Sequence, residues 1–252
     1  MGSSSETGIK LKPMPILKML IVTLIVALFI CVVNERFLAL PYYGNQMLDS
    51  SWVLAVLVHV PQFLIPFIII IYISGGGPGR YGFNLVEDQP QFTHKRMLSI
   101  GILSGLIMSL KYIINVVNGL PLDIPQPVTP INVLGHVSFQ WIVVGLSEET
   151  MFRGLIQTYL MENLEGSVNI LGHILHIGTI VAAFLWGGFH IINVINMPLS
   201  AALMTVIVTT PIGLLMGYAY QRTGSLLTTI LVHNSLFGVP LTIGYVLYFI
   251  GF

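Results

Sequence analysis

Charged residues are scarce in this chain, and their scarcity decides the solvent in which it folds. Only 8% of its 252 residues are Asp, Glu, Lys or Arg, whereas 55% are hydrophobic. The mean hydropathy is +0.87. An ordinary soluble domain carries about a quarter charged residues. The composition therefore excludes a normal soluble surface and predicts an integral membrane protein.

Net charge and cysteine are lacking as well. Ten basic residues balance ten acidic ones, so no overall field attracts nucleic acid, and we expect no nucleic-acid partner. Cys31 is the only cysteine, which excludes an intrachain disulfide framework and a cysteine-rich zinc site. The helical zinc motif His-Glu-x-x-His is also absent. We therefore expect no cofactor.

Apolar runs of membrane-spanning length dominate what is present. About eight such runs occur, most of them near the roughly 20 residues that a bilayer core requires. They cover residues 15–34, 52–74, 97–117, 132–160, 172–195, 199–220, 224–237 and 238–251. Pro240 separates the last two short runs, which are either two segments or one broken helix. The sequence predicts an all-α, polytopic transmembrane bundle of eight spans, or seven if those two runs are one.

No internal repeat or second domain is evident along the chain. We expect residues 1–14 to form a flexible cytoplasmic N-terminus and residues 15–252 a single transmembrane domain. The glycine-rich loop at residues 74–82 contains the spacing G-x-G-x-x-G, but it follows a membrane span and begins no βαβ unit. This context argues against nucleotide binding.

The distribution of Lys and Arg predicts how the chain is oriented. If the spans alternate in direction, one side of the membrane holds Lys10, Lys12, Lys18, Arg80, Lys95, Arg96 and Arg222. The opposite side holds little beyond Arg36. Because cytoplasmic loops carry an excess of Lys and Arg, we predict a multi-pass protein with a cytoplasmic N-terminus.

One predicted span carries three ionisable residues close together. Glu148, Glu149 and Arg153 lie in the run 132–160, where each charge needs a partner, water or a chemical task. Glu149 and Arg153 are four residues apart with the acid first, the favourable order for an ion pair on a helix. Glu148 points about 100° away from Glu149. We therefore expect Glu148 to be the carboxylate that can act as a base on water.

Two histidines in other spans are candidates to meet Glu148. A histidine beside an unpaired carboxylate can share its proton or orient a water molecule. His190 follows a Gly-Gly pair that permits close helix packing, and His233 lies in a later span. At about 1.5 Å per residue, His190 lies deeper than Glu148 unless its helix tilts or begins later than residue 172.

Three other histidines receive packing interpretations. His59 precedes Pro61 in the second span, where we expect a kink whose polar groups are satisfied locally. His173 and His176 are three residues apart near the start of a span, and we expect them to face the headgroups. We assign no chemistry to these three.

These polar residues resemble the motifs of the CPBP family of intramembrane proteases (CAAX protease and bacteriocin-processing, also called Abi), which includes the type II CAAX prenyl endopeptidases. The first motif, two glutamates, three residues and an arginine, is matched at residues 148–153. The second, Phe-x-x-x-His, is matched by Trp186 to His190 with one aromatic residue exchanged for another. The third, His-x-x-x-Asn or Asp, is matched in part, since Phe237 follows His233. The resemblance covers residues 132–240.

The resemblance implies a role for each matched residue. Glu148 and His190 would activate a water molecule to attack the scissile carbonyl group. His233 would help to hold the oxyanion, and Arg153 would orient Glu148 and Glu149. These assignments place the chemistry inside the membrane.

The third motif departs from the family pattern. In the family its Asn or Asp assists the oxyanion site, which Phe237 cannot do. Asn234 or Asn193 would then supply an amide instead.

Two functions remain open at this point. The first is a glutamate-dependent intramembrane endopeptidase that cuts a peptide arriving from the cytoplasmic side, such as a CAAX-type lipidated C-terminus or a leader peptide. The alternative is a non-catalytic immunity or partner-binding protein, or a small transporter, on the same scaffold. A zinc ion bound by Glu148, His190 and His233 is the alternative to a metal-free mechanism. The expected partners are a peptide or protein substrate and the lipid bilayer.

Overall fold

Seven long helices and one short β-hairpin make up the described part of the chain. The computed structural model describes residues 9–10, 12–38, 51–85, 92–125 and 127–252. The helices are α1 (Pro13–Leu38), α2 (Ser51–Ile73), α3 (His94–Val117), α4 (residues 130–163), α5 (Ile177–Ile195), α6 (Leu199–Thr223) and α7 (Leu226–Phe249). The predicted all-α, polytopic bundle is confirmed. Most of the predicted N-terminal segment 1–14 lies outside the described residues, so its separation from residues 15–252 stays a prediction.

Six of the seven helices are long and apolar enough to cross a membrane, by length and composition. The seventh is α4, whose regular α-helical hydrogen bonding is interrupted twice. It has π-helical turns at Phe139–Val143 and Thr150–Gln157. Such wider turns are frequent at functional sites, and here they flank the two glutamates. The chain is a multi-pass integral membrane protein.

The two short apolar runs at the end of the sequence form one helix. Helix α7 continues through Pro240, which is buried. A proline removes one backbone hydrogen bond, but neighbouring helices can compensate for this loss within a membrane. The smaller of the two predicted span counts, seven, is therefore the one that matches the helices.

A short β-hairpin precedes α5. Strand β1 (Ser167–Ile170) pairs with strand β2 (His173–His176) in antiparallel register. The imidazole of His176 accepts a hydrogen bond from Gly178 N and caps α5, while His173 Nδ1 lies 3.2 Å from the hydroxyl of Tyr218. Because α5 begins at residue 177 rather than near residue 172, His190 rises toward the depth of Glu148, as the sequence analysis required.

The hydrophobic core is centred on the second half of α4. All eight residues of its π-helical segment Thr150–Gln157 are buried, which marks a helix surrounded by others. Ile70 of α2, Trp186 of α5 and Met216 of α6 pack in the same core cluster. Helix α4 is therefore the central element that positions the glutamates.

Contacts between segments define the two ends of the bundle. Lys10, before α1, pairs with Glu165, after α4, and Arg80, after α2, pairs with Glu162 at the end of α4. Leu226 N, at the start of α7, donates to Gly82 O. We call this end the basic face, because it carries the seven Lys and Arg residues grouped in the sequence analysis, and the other end the distal face. At the basic face, hydrogen bonds from Lys12 and Lys10 lower the pKa of Glu165.

Candidate active site

Glu148 lies near the middle of α4 and faces a cavity. Trp186 Nε1 donates a hydrogen bond of 2.7 Å to its Oε2. Its Oε1 lies 3.7 Å from Nε2 of His59. The Glu148 side chain is 13% exposed, whereas that of Glu149 is 0% exposed. Of the two neighbouring carboxylates, only Glu148 is accessible to water.

The cavity beside Glu148 has a volume of about 310 Å³ and is enclosed by α1, α2, α4 and α5. Its polar lining, besides Glu148, consists of Asn34, His59, Gln62, His190, Asn193 and Asn196. Apolar walls are provided by residues such as Phe139 and Phe189. Apolar walls with a few convergent polar groups are typical of a binding site for a small ligand or an extended segment.

Both histidines of the cavity are fixed by a backbone carbonyl group. His190 Nδ1 is 2.9 Å from the carbonyl oxygen of Trp186, and His59 Nδ1 is 2.8 Å from that of Ala55. A carbonyl oxygen only accepts, so Nδ1 carries the proton in each neutral ring. The Nε2 atom of each neutral ring then accepts hydrogen bonds. Glu148 and two imidazole nitrogens thus give the cavity three acceptors on its polar side.

Glu149 and Arg153 form a buried ion pair, as their four-residue spacing predicts. Arg153 Nε lies 3.2 Å from Glu149 Oε2, and the two side chains are 2% and 0% exposed. Arg153 Nη2 also donates to Gly213 O of α6 at 3.3 Å, and the guanidinium lies 4.6 Å from the Trp186 ring centre. This pair attaches α4 to α5 and α6.

His233 joins this buried pair rather than the cavity. Its Nδ1 lies 2.8 Å from Glu149 Oε1, and the residue is 2% exposed. The ring packs 5.4 Å from Phe237 and 5.9 Å from Trp186, centre to centre. The predicted site residues therefore form two groups, Glu148 with His190 at the cavity and Glu149 with Arg153 and His233 behind it.

The two asparagines considered as amide donors lie in different environments. Asn234 Oδ1 accepts from Gly145 N at 2.8 Å, and its Nδ2 donates to Trp141 O at 2.9 Å. Its amide thus binds backbone groups of α4. Asn193, in contrast, lines the cavity together with His190.

His59 is a cavity residue whose contact with Glu148 the sequence analysis missed. We expected the polar groups of His59 to be hydrogen-bonded within its own helix. This holds for Nδ1, which bonds the carbonyl oxygen of Ala55, but Nε2 faces Glu148. Gln62 could have indicated the role of His59. It follows three residues later and places a second polar side chain on the same helix face. The sequence also did not predict that Trp186, in the second motif, contacts both Glu148 at the cavity and Arg153 in the buried group.

No three His, Cys, Asp or Glu side chains converge in a way that could hold a metal ion, among the residues that the structure describes. Glu148, His190 and His233, the set considered for zinc, are divided between the cavity and the buried pair. The question of a cofactor thus stays a prediction.

Comparison with known proteins identifies the segment that contains both groups. Residues 130–236 match the family described as type II CAAX prenyl endopeptidase, Rce1-like. No curated protein and no solved structure matches the chain. The match covers Glu148, His190 and His233 and confirms the resemblance that the three motifs predicted. Residues 130–236 are therefore similar to the Rce1-like type II CAAX prenyl endopeptidases, a family of CAAX-type intramembrane proteases in general.

Proposed function

We propose that this protein hydrolyses a peptide bond inside the membrane with a water molecule activated by Glu148. The observation that carries the proposal is the position of the Glu148 carboxylate at a polar cavity, with one oxygen fixed by Trp186 and the other beside an imidazole nitrogen. The family supplies the coarser statement that substrates are peptides or prenylated proteins.

The acceptors of the cavity suit a water molecule. Oε1 of Glu148 and Nε2 of His59 both accept and lie 3.7 Å apart, so one water can donate a hydrogen bond to each. Its lone pair then points away from both, toward a carbonyl carbon bound in the cavity. His190 provides a further acceptor on the same wall.

The chemical step balances with these groups. The water oxygen bonds to the carbonyl carbon while Glu148 takes one water proton, which leaves a tetrahedral oxyanion. The C–N bond then breaks, and the proton passes from Glu148 or a neighbouring imidazole to the departing amine. No metal is required for this sequence of steps.

The buried group supports the site without touching the cavity. Glu149 is neutralised by Arg153 and held by His233, so the second carboxylate adds no free negative charge next to Glu148. The family resemblance assigned the oxyanion to His233. Since His233 bonds Glu149 and is not among the cavity residues, we propose that it positions α4 instead.

A cleavage assay on purified protein in detergent tests the proposal. The probes are a fluorogenic CAAX-type peptide with and without its prenyl group, and a leader-type peptide, each in buffer with and without a chelator. We expect cleavage of at least one probe and no effect of the chelator. Loss of cleavage on chelation would replace the metal-free mechanism with a metal-dependent one.

One observation favours the alternative of a non-catalytic membrane protein on the same scaffold. Phe237 occupies the position where the third motif has Asn or Asp, and its ring packs on His233. If no probe is cleaved by folded protein while a related protease cuts the same probes, the immunity, partner-binding or transport function becomes the better account.

A further inference from the structure

We infer that the substrate reaches Glu148 from the distal face, which lies on the non-cytoplasmic side of the membrane. The inference rests on the proposed function and names the side and chemistry of its substrate. It departs from the cytoplasmic entry that the sequence analysis expected. Three observations carry it: the position of the cavity, the packing on its other side, and the distribution of charge.

The cavity lies in the distal half of the bundle. Asn34 comes four residues before the end of α1, Leu54 three residues after the start of α2, and Asn196 directly after α5. At about 1.5 Å per residue these positions are within roughly 6 Å of helix ends at the distal face. From there the lining reaches inward to Glu148.

Toward the basic face, the second half of α4 is closely packed in one core cluster. A separate cavity of about 320 Å³ at this face is lined by residues such as Leu146 and Leu226 and does not include Glu148. The hydrophobic α4 residues of this half that are 0% exposed are Met151, Phe152, Leu155, Ile156 and Leu160. Tyr81, which follows α2, is 1% exposed and belongs to the same cluster. Close-packed interiors leave few gaps wider than a water molecule, so a peptide that passed through this cluster to reach Glu148 would have to displace the core.

Charge assigns the two faces to the two sides of the membrane. Of ten Lys and Arg residues, seven lie at the basic face, Arg153 is buried, and only Arg36 and Lys111 lie toward the distal face. Residues 39–50, between α1 and α2 in the sequence, include no Lys or Arg. Because cytoplasmic segments are the ones enriched in Lys and Arg, the basic face is cytoplasmic.

The lining also restricts the chemistry of the substrate. Among the described residues that line the cavity, Glu148 is the only one with a carboxylate, and most of the other polar groups are neutral amides such as Asn34, Asn193 and Asn196. Amides pair with peptide groups, and a buried carboxylate repels acidic side chains. We infer a neutral or cationic, extended segment of an exported or membrane-inserted peptide.

Labelling in intact cells tests the orientation. In a Cys31→Ala background, Asn196→Cys places a thiol at the distal face and Gly77→Cys a matched, exposed thiol at the basic face. A membrane-impermeant maleimide added outside should label Asn196→Cys and leave Gly77→Cys unlabelled until the cells are permeabilised. The reverse pattern would overturn the inference.

Cleavage in sealed proteoliposomes tests entry directly. The maleimide labelling described above gives the fraction of protein molecules in each orientation. Peptide added outside the vesicles should be cut by the molecules whose distal face points outward. Molecules of the opposite orientation should cut it only after detergent is added. Cutting by the basic-face-out population in sealed vesicles would overturn the inference while leaving the proposed function intact. Absence of cutting in detergent would instead refute the proposed function.

A separate observation assigns a role to Gln62, and we propose that its amide stabilises the oxyanion. Gln62 is 1% exposed and lines the cavity, and its Nε2 has no hydrogen-bond partner among the described residues. A buried amide nitrogen without a partner is unfavourable, so its retention calls for an explanation. An acceptor that forms only during catalysis provides one.

The position of Gln62 fits this role. It follows His59 by three residues on α2, so both side chains lie on the helix face that meets Glu148. The third motif offers no donor, because Phe237 stands where the family has Asn or Asp. Gln62 donates a hydrogen bond to the developing oxyanion and exchanges no proton with it.

Substitutions of Gln62 should change the chemical step. Gln62→Leu removes the donor at similar size, and we expect kcat to fall about 100-fold with little change in KM. Gln62→Glu should be equally impaired at neutral pH but regain activity as the pH falls, since a protonated carboxyl group donates again. A merely structural role would not produce this pH-dependent recovery.

A rescue variant completes the test. Phe237→Asn should restore part of the activity of Gln62→Leu, because it returns the amide of the third motif. Wild-type kcat in Gln62→Leu, or a pH profile of Gln62→Glu that parallels wild type, would refute the role of Gln62. Both measurements require that the wild-type protein cleaves a probe. Failure of the role of Gln62 can therefore be distinguished from failure of the proposed function.

Discussion

The two halves of the bundle on either side of Glu148 are built differently. Toward the distal face, four helices line a cavity that contains several polar groups, and Glu148 retains 13% exposure. Toward the basic face, residues Thr150–Gln157 of α4 are all buried, and Glu149, which contacts Arg153 and His233, is 0% exposed. Glu148 and Glu149 are adjacent on α4, and the rotation of about 100° between them is enough to place one carboxylate at the cavity and the other in the buried group.

The largest effect on stability should come from the packed half. Arg153→Met keeps the apolar stem but leaves Glu149 as an uncompensated buried charge, which we expect to cost about 3–5 kcal/mol. Thermal unfolding in detergent, followed by tryptophan fluorescence, should show a large drop in Tm or loss of folded protein. An unchanged Tm would mean that Glu149 does not depend on its ion pair.

Gly145→Ala should disturb the contact between α4 and α7. A Cβ atom at position 145 would collide with Asn234 Oδ1, which accepts the hydrogen bond from Gly145 N. Overpacking of this kind costs about 1–3 kcal/mol. Gly188→Ala is the matched control, because a Cβ atom there meets nothing within 4 Å. Equal Tm values for the two variants would contradict the contact.

The smallest of these effects should come from His59, in the cavity half. His59→Phe preserves the ring packing against Phe139 but removes the acceptor next to Glu148. We expect kcat to fall about tenfold while Tm changes little, because the ring orients water rather than supporting the core. A drop in Tm with unchanged kcat would assign His59 to the packed half instead.

Sequence reasoning predicted what depends on position along one helix. The apolar runs gave the spans, and the four-residue spacing gave the Glu149–Arg153 pair, because both are local properties of a helix. It also separated Glu148 from Glu149. The two π-helical turns of α4 were not predicted.

Contacts between helices were beyond the reach of the sequence. His233 could be placed at a suitable depth, but depth does not decide whether its ring meets Glu148 or Glu149. His59 was assigned to a kink because it precedes Pro61, and its Nδ1 does bond locally whereas its Nε2 faces Glu148. Helix rotation and the choice of neighbours are set by the packing of side chains from several helices at once.

The cleavage rate of Glu148→Gln in detergent tests the central claim most directly. The variant keeps the hydrogen bond from Trp186 within reach and removes only the base, so its Tm should equal that of wild type. We predict a loss of about 10³-fold or more in kcat on the best of the CAAX-type and leader probes. A folded Glu148→Gln protein that cleaves at the wild-type rate would contradict the account.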